Sequence, residues 1–115
     1  MTTKERTSEM KKANKTTTQP TGIPVIVCCG TNGRSVLYGR VAKEPVAGKP
    51  IRMTGARMVL YWDAKCGGLL GLAANGPKGD TRITAAVTSH GDDCVRQWVS
   101  VSPTAVKEID QWPAC

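Results

Sequence analysis

The hydrophobic and polar positions divide the chain into two parts of different character. Residues 1–20 contain almost no apolar side chains and consist mainly of threonine and charged residues. From Ile23 onward, short apolar runs rich in β-branched residues alternate with turns of Gly, Pro and Asn. A segment without apolar periodicity cannot bury enough surface to offset the entropy lost when its backbone is ordered. The pattern therefore predicts an extended N-terminal arm, residues 1–22, followed by one domain, residues 23–115.

Five or six of the apolar runs are predicted to be β-strands. Ile23–Cys29 is β-branched and ends at a glycine, and Val36–Val41 follows it across the turn residues 31–33, which is typical of a hairpin. In Ala56–Trp62, alternation predicts that one face of the strand enters the core. The other predicted segments are Ile51–Met53, a bend or bulge at Thr54 and Gly55, a long strand Arg82–Val87, a polar loop 89–93 and a strand Cys94–Val101.

Two further segments are expected outside the sheet. Cys66–Ala74 combines leucines with three glycines, which fits either a short helix or an apolar loop over an open barrel end. Ser102 and Pro103 are preferred residue types at the start of a helix, which predicts a helix over 103–112 that stops at Pro113. The predicted fold class is mainly β (α+β): a small, strongly bent antiparallel sheet or partly open β-barrel with a short C-terminal helix.

The charge distribution changes the view of the arm. The chain has a formal net charge of +7, and residues 1–20 have five basic against two acidic side chains, a net +3 in about a sixth of the length. A basic segment favours an acidic surface, whether nucleic acid, an acidic protein face or lipid headgroups. The alternative is that it serves only solubility. The candidate partner-binding residues of the arm are Lys4, Arg6, Lys11, Lys12 and Lys15.

The chain is expected to reside in a cytoplasm. It has no apolar run of about 18 residues or more, so we expect no membrane-spanning helix and no membrane partner. The lysines near the N-terminus have no apolar segment behind them, unlike a secretory signal. Five cysteines cannot all pair within one chain, and adjacent Cys28 and Cys29 cannot both face one side of a strand. Reduced thiols are therefore favoured over disulfides.

Catalytic and metal sites are not predicted. The segment His90–Cys94 contains a His, carboxylates and a Cys, yet His90 is the only histidine and no second pair of ligands has metal-binding spacing. The glycine-containing turn 30–35 joins two predicted strands, whereas a phosphate-binding loop opens a helix. The turn 75–80 lacks the alternating carboxylates of a calcium loop. We therefore expect no enzyme activity, no cofactor and no metal.

Nucleic-acid binding is an alternative function for the domain itself. Small barrels bind single strands with aromatic side chains beside a basic groove. The other interpretation is that the arginines point outward while their stems cover apolar surface. Six arginines lie in or next to predicted strands, namely Arg34, Arg40, Arg52, Arg57, Arg82 and Arg96. Among them, the candidate partner-binding residues of the domain are Arg34 and Arg57, together with Tyr61.

Several stretches of the domain resemble a family of small phage and prophage proteins that is a domain of unknown function. The matching residues are Val25–Val27 with Gly33 and Gly39, the strand Ala56–Trp62 (ARMVLYW), the stretch Gly68–Pro77 and the Pro-Thr-Ala-Val helix that closes on Trp112. The resemblance covers residues 23–112 and excludes the arm. Members usually have a second Arg where Met58 stands. The resemblance implies an origin in a tailed-phage genome, and it supplies no catalytic or binding residues.

Two functions are compatible with these observations. The first is a non-enzymatic virion structural protein, a capsid decoration or cement protein whose arm binds the acidic surface of a phage capsid or another virion protein. Many copies in one assembly are then expected, because symmetry repeats modest contacts. Its location would be the virion, assembled in the host cytoplasm. The alternative is an early phage accessory protein that binds nucleic acid or a host or defence protein.

Overall fold

The computed structural model of the protein describes residues 22–30, 34–92 and 94–115. The five basic side chains of the predicted arm and the predicted turn 31–33 lie outside the described residues. Within the described residues there are six strands, two α-helices and one short 3-10 helix (Ala64–Cys66). The strands and α-helices are, in chain order, β1 (Ile23–Cys29), β2 (Ser35–Val41), β3 (Ile51–Tyr61), α1 (Gly68–Asn75), β4 (Arg82–Ile83), β5 (Val87–Asp92), β6 (Val95–Ser100) and α2 (Pro103–Gln111).

The strands form one antiparallel sheet, which confirms the predicted fold class. Its order is β4-β3-β2-β1-β6, and β5 also pairs with β3. β4 and β5 occupy the same edge of β3 in succession, since Ile83 pairs with Val59 and Val87 pairs with Ala56. The two predicted strands Ile51–Met53 and Ala56–Trp62 are a single strand, β3. The expected bulge lies within it, where the β2–β3 register shifts by one residue.

The predicted long strand Arg82–Val87 and the predicted polar loop 89–93 are both wrong. The strand stops after Ile83, and a new strand, β5, runs through most of the supposed loop. Thr84 explains the break, because its side-chain Oγ1 accepts the N–H of Met58 at 2.9 Å in place of a backbone acceptor. The Thr84 carbonyl is consequently turned away and accepts a hydrogen bond from another side chain, Arg57.

The sheet is strongly bent but not closed. β5 pairs with β3 at one end of the sheet and β6 pairs with β1 at the other end, yet only residues 93 and 94 connect β5 to β6. The sheet must therefore curl until these two edges approach each other. The loop before β3 narrows the gap, because Gly48 N–H donates to the Val95 carbonyl at 2.6 Å and Val95 N–H donates to the Lys49 carbonyl at 3.0 Å. No β5–β6 pairing occurs in the described part of the chain, which leaves a partly open barrel.

The sheet separates two apolar clusters, one on each face. Alternating residues of β1 enter the two clusters, so that adjacent Cys28 and Cys29 lie on opposite faces as expected. None of the five cysteines, all of which are described, is in a disulfide. The inner cluster consists only of strand residues and is covered by the curl of the sheet itself: Val25, Val27, Cys29, Leu37, Val41, Ile51, Met53, Ala56 and Val95. The outer cluster packs against both helices, with Leu72, Ala73, Ala105 and Ile109 as their buried residues.

The predicted C-terminal helix is confirmed, with its last residue at Gln111. The Ser102 hydroxyl accepts the Ala105 N–H at 3.1 Å, and Pro103 occupies the first turn. The same hydroxyl donates to the Ala74 carbonyl at 2.6 Å, which joins the end of α1 to the start of α2. Because the segment 66–74 proves to contain a helix, the two helices pack together on one face of the sheet.

Candidate interaction sites

A cluster of polar side chains fastens α2 to the sheet. Tyr38 and Arg40 lie two residues apart on β2 and therefore share the face covered by the helices. The Tyr38 hydroxyl donates to Oδ1 of Asp110 on α2 at 2.9 Å, and Arg40 Nη2 donates to Oδ2 at 2.9 Å. The Arg40 guanidinium also lies 5.7 Å from the centre of the Tyr38 ring. One carboxylate thus binds a phenol and a guanidinium.

This arrangement raises the pKa of both β2 side chains, for different reasons. Burial, and then the hydrogen bond to Asp110, raises the pKa of Tyr38 well above its ordinary value. For Arg40, burial acts against the charged form, but the hydrogen bond and the negative charge of Asp110 outweigh it and raise the pKa. The phenol therefore stays neutral and the guanidinium stays charged across the physiological range.

Arg57 lies in the same region of the interior, on the neighbouring strand. It is only 6% exposed and donates to three backbone carbonyls: Thr84 at 2.6 Å, Trp112 at 2.8 Å, and Ile109. Burial lowers the pKa of Arg57, and the charge of Asp110 opposes that effect. Two of these carbonyls belong to the C-terminal end of α2, where a cation is favoured by the helix dipole.

The β3 bulge explains why an arginine reaches this face. Gly55 has φ of +60°, a backbone conformation that glycine adopts readily. Before it, Met53 faces the inner cluster; after it, Ala56 faces the inner cluster and Val59 the outer one. The extra residue shifts the alternation by one position, and Arg57 is directed toward α2 as a result.

An open groove lies over Arg40, Arg57 and Asp110. Its volume is about 860 Å³, and it runs between the β3 bulge, the break between β4 and β5, and α2. The wall formed by the strand break consists of Ala85 and Ala86, both with short exposed side chains. Two irregularities of the sheet therefore create a basic groove beside the C-terminal helix. We name this feature the arginine groove.

A second site lies where β3 ends. Leu60 and Tyr61 are 55% and 51% exposed, and Tyr61 pairs across the strands with exposed Arg82. The β2–β3 register, with Leu37 opposite Met58, reaches Arg34 opposite Tyr61 when it is continued by three residues. Tyr61 therefore has Arg82 opposite it on β4, and the continued register assigns Arg34, which immediately precedes β2, to its other side. We name Arg34, Leu60, Tyr61 and Arg82 the end surface.

The candidate domain residues do not form one site. The continued β2–β3 register assigns Arg34 and Tyr61 to the end surface, whereas Arg57 points inward and donates to backbone carbonyls. Sequence reasoning did not find Asp110 or the break at Ala85 and Ala86. No pattern of neighbouring residues indicates either feature; Asp110, for example, binds Tyr38 across 72 positions of the chain.

The segment around His90 forms no recognisable ligand set. His90 Nε2 is buried without a hydrogen-bond partner in the described residues and lies 3.7 Å from Oδ2 of Asp92. Asp93 is outside the described residues, and Cys94 is half-buried. Across the described ranges, no group of three or more His, Cys, Asp or Glu side chains is placed to hold a metal. In the same ranges, no helix is long and apolar enough to cross a membrane.

Residues 22–109 match the family model of a domain of unknown function, DUF6948. The chain belongs to this family. The matched range contains the whole sheet, α1 and most of α2, so the DUF6948 domain is the bent sheet with its two helices. The expected membership in an uncharacterised family is thereby confirmed. No curated protein and no solved structure shows significant similarity to the chain.

Proposed function

We propose that this DUF6948 protein is a non-catalytic binding protein that attaches to an acidic surface of a larger protein assembly. The observation that supports attachment is the end surface, where Leu60 and Tyr61 remain about half exposed beside Arg34 and Arg82. Exposed aromatic and apolar side chains together with arginine are enriched where proteins bind each other. A partner with an apolar patch and acidic residues around it would complement this surface.

The assembly that we propose is the capsid of a tailed phage, with the protein as a decoration or cement protein present in many copies. The resemblance to phage and prophage proteins supports this choice, and so does the net charge of +3 in residues 1–20. A modest surface and a basic segment suffice for attachment when symmetry repeats them over a shell.

Mass spectrometry of purified virions tests the proposal directly. We expect the protein in the particles at a copy number comparable to a shell component, and its absence would refute the virion function. In a reattachment assay with particles that lack the protein, Tyr61→Ser should weaken attachment about tenfold or more. Leu70→Ser is the matched control, since Leu70 is 64% exposed on α1 and lies outside the end surface.

A second function, binding of single-stranded nucleic acid, is favoured by the placement of Tyr61 between Arg34 and Arg82. A base can stack on an exposed aromatic ring while the guanidinium groups contact the adjacent phosphates. If this function is correct, the affinity for an oligonucleotide falls steeply with salt concentration, and Tyr61→Ser weakens it at every salt concentration. Oligonucleotide binding that changes neither with the salt concentration nor with Tyr61→Ser would exclude this function.

A further inference from the structure

The arginine groove has an excess of positive charge that the fold does not neutralise. Its floor contains the guanidinium groups of Arg40 and Arg57 against the single carboxylate of Asp110. Exposed Lys107 adds a further positive charge at the rim. The carbonyls that accept from Arg57 supply partial negative charge, and the charges of Asp110 and Cys115 also act on its guanidinium. Because Arg40 is already paired with Asp110, two guanidinium groups share one nearby carboxylate, and a further negative group in the groove would be stabilised.

The groove also has hydrogen-bond donors for such a group. A guanidinium has five N–H donors, and Arg57 uses one each from Nε, Nη1 and Nη2 on backbone carbonyls. The second N–H on each Nη has no acceptor among the described residues. Two N–H groups of one guanidinium are the usual partners of a carboxylate, which binds them in a bidentate manner.

Space for the ligand is provided by the residues that break the sheet. Gly55 has no side chain, and Ala85 and Ala86 present only methyl groups to a groove of about 860 Å³. The break between β4 and β5 interrupts the ladder along β3 and leaves this region open, and the bulge at Gly55 turns Arg57 toward it. Bulges are over-represented next to active sites.

We propose that the arginine groove is the docking site for an acidic side chain, Asp or Glu, of the protein partner. A single carboxylate matches the surplus of one charge on the floor and would form with Asp110 an alternating set of two arginines and two carboxylates. This inference rests on the proposed attachment to an acidic protein. It adds the point of contact: the end surface supplies apolar and aromatic area, and the groove selects a carboxylate.

The test is an NMR titration of the isotope-labelled full chain with a blocked hexaglutamate peptide. We expect saturable shifts of the backbone amides of Ala85, Ala86, Lys107 and Gln111, and no such shifts with a hexaglutamine peptide. Lys107→Glu should weaken the hexaglutamate affinity about tenfold, since it replaces attraction by repulsion at the rim. Arg96→Glu makes the same change of charge on β6, away from the groove, and should alter the affinity less than about twofold.

A second variant distinguishes binding inside the groove from general attraction between charges. Ala86→Leu fills the groove without changing its charge, and it should also weaken hexaglutamate binding while circular dichroism shows an unchanged fold. The proposal that the groove binds a carboxylate would be refuted if hexaglutamate shifted only amides of residues 1–20 or of the end surface. Equal losses of hexaglutamate affinity in Lys107→Glu and Arg96→Glu would also refute it. Stronger groove shifts with an oligothymidine than with hexaglutamate would overturn the choice of a carboxylate. The virion function fails by a different observation, absence from the particles, so the two failures are distinguishable.

Discussion

Replacing Arg57 tests whether one buried guanidinium fastens α2 to the sheet. In Arg57→Ala, the carbonyls of Thr84, Ile109 and Trp112 lose their hydrogen bonds to the guanidinium together, and among the described residues only the Ile109 carbonyl keeps a second donor, the Trp112 N–H. A hydrogen bond from a charged donor contributes about 1.5–3 kcal/mol. Water can enter the open groove and satisfy part of the loss, so the lower end applies to each bond. We therefore expect a decrease of about 4 kcal/mol in the free energy of unfolding, a large share of the 5–15 kcal/mol typical of domains.

The assay is equilibrium unfolding in urea, followed by the fluorescence of the tryptophans. Arg57→Lys keeps the charge but lacks the planar group of donors, so it should lose about half as much stability as Arg57→Ala. Arg82→Ala is the matched control, because Arg82 is exposed on β4 and its removal should change stability by about 0.5 kcal/mol or less. If Arg57→Ala lowers the free energy of unfolding by less than about 1 kcal/mol, the attachment of α2 to the sheet depends on apolar packing instead.

Three further predictions concern the same fold. Ser102→Ala removes both the cap of α2 and the bond to the Ala74 carbonyl, and thermal unfolding should show a loss of about 1–2 kcal/mol. Because burial raises the pKa of Tyr38, its contribution to stability is complete below the unfolded pKa of about 10 and is lost as the pH rises beyond it. Urea midpoints measured from pH 8 to 11 should therefore fall, and the fall should be shallower in Tyr38→Phe; equal slopes would contradict the assignment. Gly39→Ala should cost about 1–2 kcal/mol in urea unfolding, since its Cβ would lie 3.0 Å from a methionine methyl on β3, whereas Gly91→Ala, with its nearest contact at 3.8 Å, should be nearly neutral.

The strands that were predicted correctly are those whose local pattern agrees with their surroundings. Ile23–Cys29 is buried on both faces from Val25 onward and consists of apolar residues throughout, most of them β-branched, which is typical of a central strand. The cap at Ser102 was also predictable, because a serine that satisfies the first N–H groups of a helix acts within three residues. Both features depend on neighbours in sequence.

The errors arose where distant contacts decide the backbone. Thr84 has high strand propensity, yet its side chain bonds to Met58 and interrupts the ladder. The polar segment 89–93 reads as a loop, but residues 89–92 pair with β3 along the edge of the sheet, where one face can remain in water. Arg57 was expected to bind a partner, and only the bulge at Gly55, which directs it to α2, decides that it lies in the arginine groove and not at the end surface.

The candidate sites show the same division. The sequence alone indicated that Arg34 and Tyr61 are candidate binding residues, but their proximity follows only from the β2–β3 register. It contained no indication of the arginine groove, whose residues come from β2, β3, the strand break and α2.

The sequence by itself determined a basic N-terminal segment, a mainly β domain and a capped terminal helix, because charge, alternation and capping act over a few neighbouring residues. The tertiary structure decided which face receives Arg57, where the edge strand breaks and which carboxylate Arg40 binds. Those outcomes depend on a one-residue shift in register and on side chains separated by up to 72 positions, and no local pattern encodes them.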